Sequence, residues 1–315
     1  GIPSKTRHNE VAPAQQEMAP VYSTTNVAID SNMLTMELMK KVAQKHGLRC
    51  LLHEKPFEGI NGSGKHNNWS MSTDTGLNLL EPGPNPEKNT LFMLVLAAVI
   101  KAVDDYQGIL RGAVASAGND HRLGANEAPP AIISVYLGDQ LGDLVDSIAN
   151  GKDYIPFRAQ EGSIGVPESP IFPKDASDRN RTSPFAFTGN KFEFRMLGSQ
   201  ANVADANIVL NTIISQAFSE FADKLEKASD VESAARELIT STIKEHKRII
   251  FNLDGYGPAW EPEAERRGLL NNKNTADATD VFFEKKNIDV FVNNGVYTEQ
   301  EAVARAMVRL ENYVK

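Results

Sequence analysis

The sequence predicts an α+β fold, and three observations point to it. Strand-like and helix-like segments come in groups, without the regular βαβ alternation that builds a doubly wound parallel sheet. The stretch SPFAFTGNKFEFRM (183–196) alternates around Gly189-Asn190, the pattern of a β-hairpin. Helical periods run through 202–227 and 231–246. With 315 residues, 41% of them apolar, the chain can build one large core or two smaller ones, and its composition is not that of a disordered or fibrous protein.

From the first residues onward, HNEVAPAQQE (8–17) reads as strand-turn-strand, because Pro13 bars a helix there. Val27, Leu34, Leu38 and Val42 mark an amphipathic helix that ends at His46-Gly47, where the glycine closes it. LRCLLHEKPF (48–57) reads as a strand, and so does 66–72. Thr90 to about Ser116 reads as one buried helix or a pair broken near Gly108. After the hairpin and the two long helices, IIFNLDG (249–255) reads as a strand and a mixed tail begins at 258. Residues 137–178 read as an insertion, surface-exposed over its Pro-, Gly-, Asp- and Ser-rich part at 151–178. The chain opens without a methionine and stops inside a helical pattern that lacks a terminal Gly or Asn, so it reads as a fragment.

Composition excludes several classes of function. A net charge of −8 with no dense block of Lys or Arg argues against nucleic acid or a membrane surface as partner. An anionic ligand must then be held by a few local arginines or by metals. Cys50 is the only cysteine, so no intrachain disulfide can form and a reducing cytoplasm is the expected compartment. The most apolar run, LFMLVLAAVI (91–100), is too short to span a bilayer.

Chemistry concentrates in three polar clusters. GINGSGKH (59–66) is one letter from the phosphate loop GxxxxGK[ST], with His66 where a hydroxyl should ligate Mg²⁺. A phosphate loop also needs a helix after Lys65, and HNNWSMSTDTG has no helical period. An imidazole there is either a metal ligand through a ring nitrogen or, as a lone histidine more often is, a satisfied structural residue. The second cluster is Glu10 and Glu17, which alone would read as a solvated turn. In the third, KFEFR, alternation puts Lys191, Glu193 and Arg195 on one strand face and Phe192 and Phe194 on the other. That charged trio, preceded by Arg179 and Arg181, is either a surface ion pair worth about 0–1 kcal/mol or a metal-binding carboxylate beside a phosphate-clamping guanidinium.

NEVAPAQQE, NGSGKHNNWS, NDHRLGANEAPP, RNRTS and KFEFR occur in the order and approximate spacing of glutamine synthetase, across most of residues 1–200. Their wording, the insert before Arg179 and the tail HKRIIFNLDGYGPAWEPEAERRGL resemble the type III, long-chain branch. The resemblance implies a catalytic domain over 1–246, truncated at its N-terminal side, with a curved antiparallel sheet forming an active-site funnel flanked by helices. A truncated C-terminal extension would cover 247–315. It implies Glu10 and Glu17 on one metal, His66 and Glu193 on a second, and two or more Mg²⁺ or Mn²⁺ per site with ATP as co-substrate. Asn61, Gly62, Arg122 and Arg195 would hold glutamate, while Ser70 and Arg181 would lie toward the nucleotide, with Lys65 or Lys191 standing in for cationic groups that the family has there and this chain lacks. Arg181 would neutralise the transferring phosphoryl group, and Glu127 would be the flap glutamate that shields the intermediate and helps deprotonate ammonium.

The implied reaction is ATP-dependent ligation of ammonia to L-glutamate through γ-glutamyl phosphate, in a homo-oligomer of stacked rings with shared active sites. The family's further metal ligands would precede residue 1, so this stretch alone is expected to be inactive. Two positions depart from the family's pattern: Asn68 replaces a histidine and Ala186 an arginine, both toward the nucleotide. The alternatives are a ligase using another amine and a catalytically silent scaffold of the same fold.

Overall fold

Alternating phenylalanines on two neighbouring strands build the centre of this molecule. The computed structural model describes residues 1–125, 128–152, 154 and 183–315, and its architecture is mixed α and β. Strands β1 (Ser4–Asn9) and β2 (Gln16–Pro20) pair as an antiparallel hairpin with His8 opposite Glu17. Helix α1 (Thr25–Lys45) ends at His46, and Gly47 leaves it at φ 71°, a left-handed conformation that favours glycine. There follow β3 (Gly64–Trp69), α2 (Thr90–Asp105), α3 (Gln107–Gly112), α4 (Ala117–Arg122), β4 (Val135–Tyr136) and α5 (Gly138–Ala149). Strands β5 (Phe185–Phe187) and β6 (Phe192–Gly198) form the hairpin that the sequence predicts, and helices α6 (Ala204–Leu225) and α7 (Val231–His246) come next. The tail holds α8 (Trp260–Arg266), α9 (Thr275–Asp280), α10 (Lys285–Asn293) and α11 (Glu299–Val314).

The second sheet has the order β3-β6-β5-β4. Its first two pairings are antiparallel, but β4 runs parallel to β5, so the sheet is mixed where an antiparallel one was expected. A parallel pairing needs a long crossover, and the stretch that begins with α5 supplies it. Phe185 and Phe192 stack with ring centroids 4.5 Å apart, Phe187 meets Phe192 edge-on at 5.3 Å, and Phe92 of α2 joins Phe187 at 5.9 Å. α2 is buried on nearly all sides, as its apolar run requires, between α6 and α7.

Several expected elements take another form. Residues 48–57 are coil, because their polar groups bond singly to distant loops instead of forming a ladder: the Ser199 hydroxyl donates to the Leu52 carbonyl and Ser63 N to Glu54 O. In 249–255 only Ile250 bridges, to Val135. The break in Thr90–Ser116 falls at Tyr106; Gly108 lies inside α3, where Val281 and Leu270 would press on any side chain. Of the expected insertion, 138–149 is α5, which buries Leu141, Leu144 and Val145. Residues 155–178 lie outside the described residues.

Phe192→Ala empties the middle of the aromatic cluster and should lower stability by about 3–5 kcal/mol, read by equilibrium urea unfolding of the full-length protein. A loss below about 1 kcal/mol would contradict the central place given to this ring.

Candidate active site

The β1–β2 hairpin gathers three polar side chains. His8 Nε2 lies 2.7 Å from Glu10 Oε1 and 2.8 Å from Glu17 Oε2, because His8 faces Glu17 in register and Glu10 sits two residues further on. These three are the one His/Asp/Glu group among the described residues with spacing suited to a metal ion. Burial raises the Glu17 pKa, and the nearby Glu10 carboxyl raises it further, against the lowering pull of His66 and His8. Two carboxylates at this separation favour a shared proton or a cation. Sequence reading missed His8; its place two residues before Glu10 on a strand was the available signal.

The second group is built where β3 meets β6. The register shifts between Lys65 and Asn67, and His66 Nδ1 comes within 2.9 Å of Glu193 Oε1. Arg195, two residues along the same strand face, donates from Nε at 3.1 Å and Nη2 at 3.0 Å to Glu193 Oε2. Burial opposes ionisation of Glu193, but His66 and Arg195 outweigh it and bring its pKa down to about 2. His66 is also within electrostatic reach of Glu17, so the two groups lie near each other. The hairpin turn is tied to the NGSG loop by Gln15 Nε2, which donates to Gly62 O at 3.4 Å.

Arg122 lies behind this pair. Its buried guanidinium donates to Asn119 Oδ1 (3.2 Å), Leu197 O (3.3 Å) and Arg195 O (3.1 Å), so it braces the site from within. Burial lowers its pKa to about 10, with Glu54 opposing. A Cβ on Gly64 would overlap that guanidinium, and one on Gly62 would overlap the Glu54 carbonyl, which gives the two glycines of NGSG a steric reason. Glu54 itself is buried and accepts from Gln200 N at 3.0 Å and Gln200 Nε2 at 3.1 Å.

Other predicted positions scatter. Lys65 leaves β3 on the face opposite His66, where its ammonium donates to the Ala201 carbonyl and to Met36 Sδ at 3.1 Å; burial lowers its pKa to about 8. The geometry therefore does not bring Lys65 to the His66 group, and β3 running through it disposes of the phosphate-loop reading. Asn61 lines an open groove of about 1190 Å³ together with Gly124 and Ala125. Ser70 is exposed just past β3. Asn68 and Ala186 both pair with Glu193 across the sheet, and Ala186 is fully buried. Glu127, Arg179 and Arg181 lie outside the described residues.

A model described as the glutamine synthetase catalytic domain matches residues 1–134, and one described as the glutamine synthetase C-terminal domain matches 234–315. The chain is 48% identical to the type-3 glutamine synthetase of Dictyostelium discoideum, over 100% of this chain and 43% of that protein. It is 49% identical to a glutamine synthetase of Butyrivibrio fibrisolvens, over 100% of this chain and 45% of the relative. For that of Bacteroides fragilis the figures are 45%, 99% and 44%. The chain thus spans less than half the length of these curated relatives. Among solved structures, ligand-free GmaS aligns with TM-score 0.59 over 99% of this chain and 55% of that one, and a GmaS/ADP complex with 0.61 over 100% and 57%, each at 17% identity, which speaks to the fold alone.

Two outcomes follow from the bracing of this site. Gly64→Ala forces the Arg122 guanidinium aside and should cost about 1–3 kcal/mol in urea unfolding, the scale of overpacking; an unchanged midpoint would show that the loop yields freely. Glu193, depressed from 4.5 to about 2, stabilises the fold above pH 4.5 and loses that contribution as pH falls toward 2. With a chelator present, the stability gap between wild type and Glu193→Gln should be widest at neutral pH and close across that window; a gap independent of pH would refute the assignment.

Proposed function

The chain belongs to the glutamine synthetase family, and we propose that the full-length protein joins ammonia to L-glutamate at the expense of ATP. The observation that carries this reading is the approach of the His8–Glu10–Glu17 group to the His66–Glu193–Arg195 group, with Glu17 and His66 in electrostatic reach of each other. A carboxylate resists attack by ammonia at neutral pH until it carries a leaving group. Phosphorylation of glutamate to γ-glutamyl phosphate supplies one, and ammonia then displaces phosphate to give glutamine, with ADP released.

The donor set fits hard divalent ions: carboxylates with an imidazole suit Mg²⁺ or Mn²⁺, and a cation bound there would favour the ionised form of Glu17 that burial and Glu10 disfavour. Glu10, Glu17 and His8 would hold one ion, and His66 with Glu193 another. Such ions, when bound, neutralise phosphate charge during phosphoryl transfer. Glu193 stays ionised at any physiological pH, which keeps it ready as a ligand. Arg195 orients Glu193, and Arg122 holds the β6 backbone at Arg195 and Leu197 in place.

Asn61 and Gly62 form the amino-acid side of the site, and Arg181 and Glu127 keep the roles that the family pattern suggests for them. Lys65 is anchored to Ala201 and Met36, so the nucleotide side rests on Arg181, Ser70 and the metals. Assembly as stacked rings and a cytoplasmic location belong to the same proposal; among the described residues no helix is long and apolar enough to cross a membrane.

The full-length protein should release ADP only when glutamate, ammonia and ATP are all present. His66→Ala should reduce that rate about a hundredfold or more, the scale of losing one group that stabilises transition-state charge. ADP release indifferent to ammonia would sink the reaction, and full activity in the mutant would sink the role of His66.

A further inference from the structure

The stretch between Phe251 and Trp260 reaches the site from the far end of the sequence. Trp260 is buried and stacks on Phe251 with centroids 3.8 Å apart and planes 18° apart. Arg267 lies over both rings and donates from Nη1 to Ile250 O at 2.8 Å. This staple holds the two ends of residues 252–259 together, and Asn252 Oδ1 fastens the near end by accepting from Leu137 N at 2.9 Å. Between them Tyr256 N donates to Asp254 Oδ1 at 2.9 Å. Tyr256 is 41% exposed, and its phenol is within electrostatic reach of Arg122.

Tyr256, with Gly255, Gly257 and Pro258, forms one wall of the groove whose other walls include Asn61, Gly124 and Ala125. Three stretches, represented by Asn61, by Gly124, Ala125 and Pro130, and by lining residues between Gly255 and Asn271, therefore meet around one opening. An aromatic ring with a polar end at such a mouth combines apolar cover with a hydrogen bond, the pairing that orients a small polar ligand. The tail has no part in the reaction as derived so far.

We propose that Tyr256 is a substrate-positioning residue, its ring closing the groove over a free amino acid and its hydroxyl donating to the α-carboxylate of that substrate. The proposal rests on the glutamate-ligase reading and adds a specificity element from the tail.

The test compares full-length wild type, Tyr256→Phe and Tyr256→Ala by ADP release across glutamate and ATP concentrations, by thermal melting, and by calorimetric titration of L-glutamate in the presence of ADP. Tyr256→Phe should raise the KM for glutamate about three- to tenfold, the scale of one hydrogen bond, and Tyr256→Ala should raise it further. The KM for ATP and the melting temperature should stay unchanged in both. Parallel rises in both KM values with a lower melting temperature would mark Tyr256 as structural and overturn the proposal. Glutamate affinity equal in wild type and Tyr256→Ala overturns it whichever way the ligase assay turns out. Wild type that binds glutamate more tightly than Tyr256→Ala yet releases no ADP overturns the ligase reading instead and supports the positioning role.

Discussion

The buried guanidinium of Arg122 is the constraint on which the site depends. Taking an arginine out of water is expensive, and hydrogen bonds to the guanidinium offset that cost. Here the acceptors are Asn119 Oδ1 on its own helix and the carbonyls of Arg195 and Leu197 on β6. Asn119 is fixed in turn, donating from Nδ2 to Val114 O at 2.8 Å and Met196 O at 2.7 Å. The position of β6, and with it Glu193, is thus set from behind, and the NGSG loop must pass the guanidinium without a side chain at Gly64. Glu54, buried on the other side of that loop, balances the charge of both Arg122 and Lys65.

Around this frame the two carboxylate groups are perturbed in opposite directions. Glu193 is held ionised by His66 and Arg195, while burial and Glu10 push Glu17 up. Opposite shifts in neighbouring acids are what acid, base and ligand roles at one site require, and they support the proposed function of these groups. The hairpin bearing Glu10 and Glu17 is largely exposed and two-stranded, so its order rests on what it docks against. Gln15 on the Gly62 carbonyl makes that docking contact.

Legibility in the sequence followed how local each cause was. The faces of KFEFR, the glycine after α1 and the hairpin at Gly189 depend on strand alternation and left-handed backbone, which act within a few residues. LRCLLHEKPF reads as a strand, yet its Glu54 is drawn to Gln200 across 146 residues. The tail beyond residue 246 reads as a C-terminal extension, and how it docks is not written locally: Arg248 Nε bonds Asp104 of α2 at 3.0 Å beside His246 Nδ1 at 2.9 Å, and Phe282 and Phe291 enter the main core. Lys65 was misleading for the opposite reason: it belongs to a familiar pattern, but alternation along β3 sends it away from His66.

By itself the sequence determined the α+β class, the periodicity of the helices, the residue types of both carboxylate groups and the family. These rest on local backbone preference and on ordered motifs, both written along the chain. Only the tertiary structure decided that Glu17 comes within electrostatic reach of His66, that Arg122 braces β6 from the interior, that His8 completes the hairpin group and that Tyr256 reaches the groove of Asn61. Each of those joins residues distant in the chain or on separate faces, and such contacts are fixed by how the core packs, a property of the whole molecule.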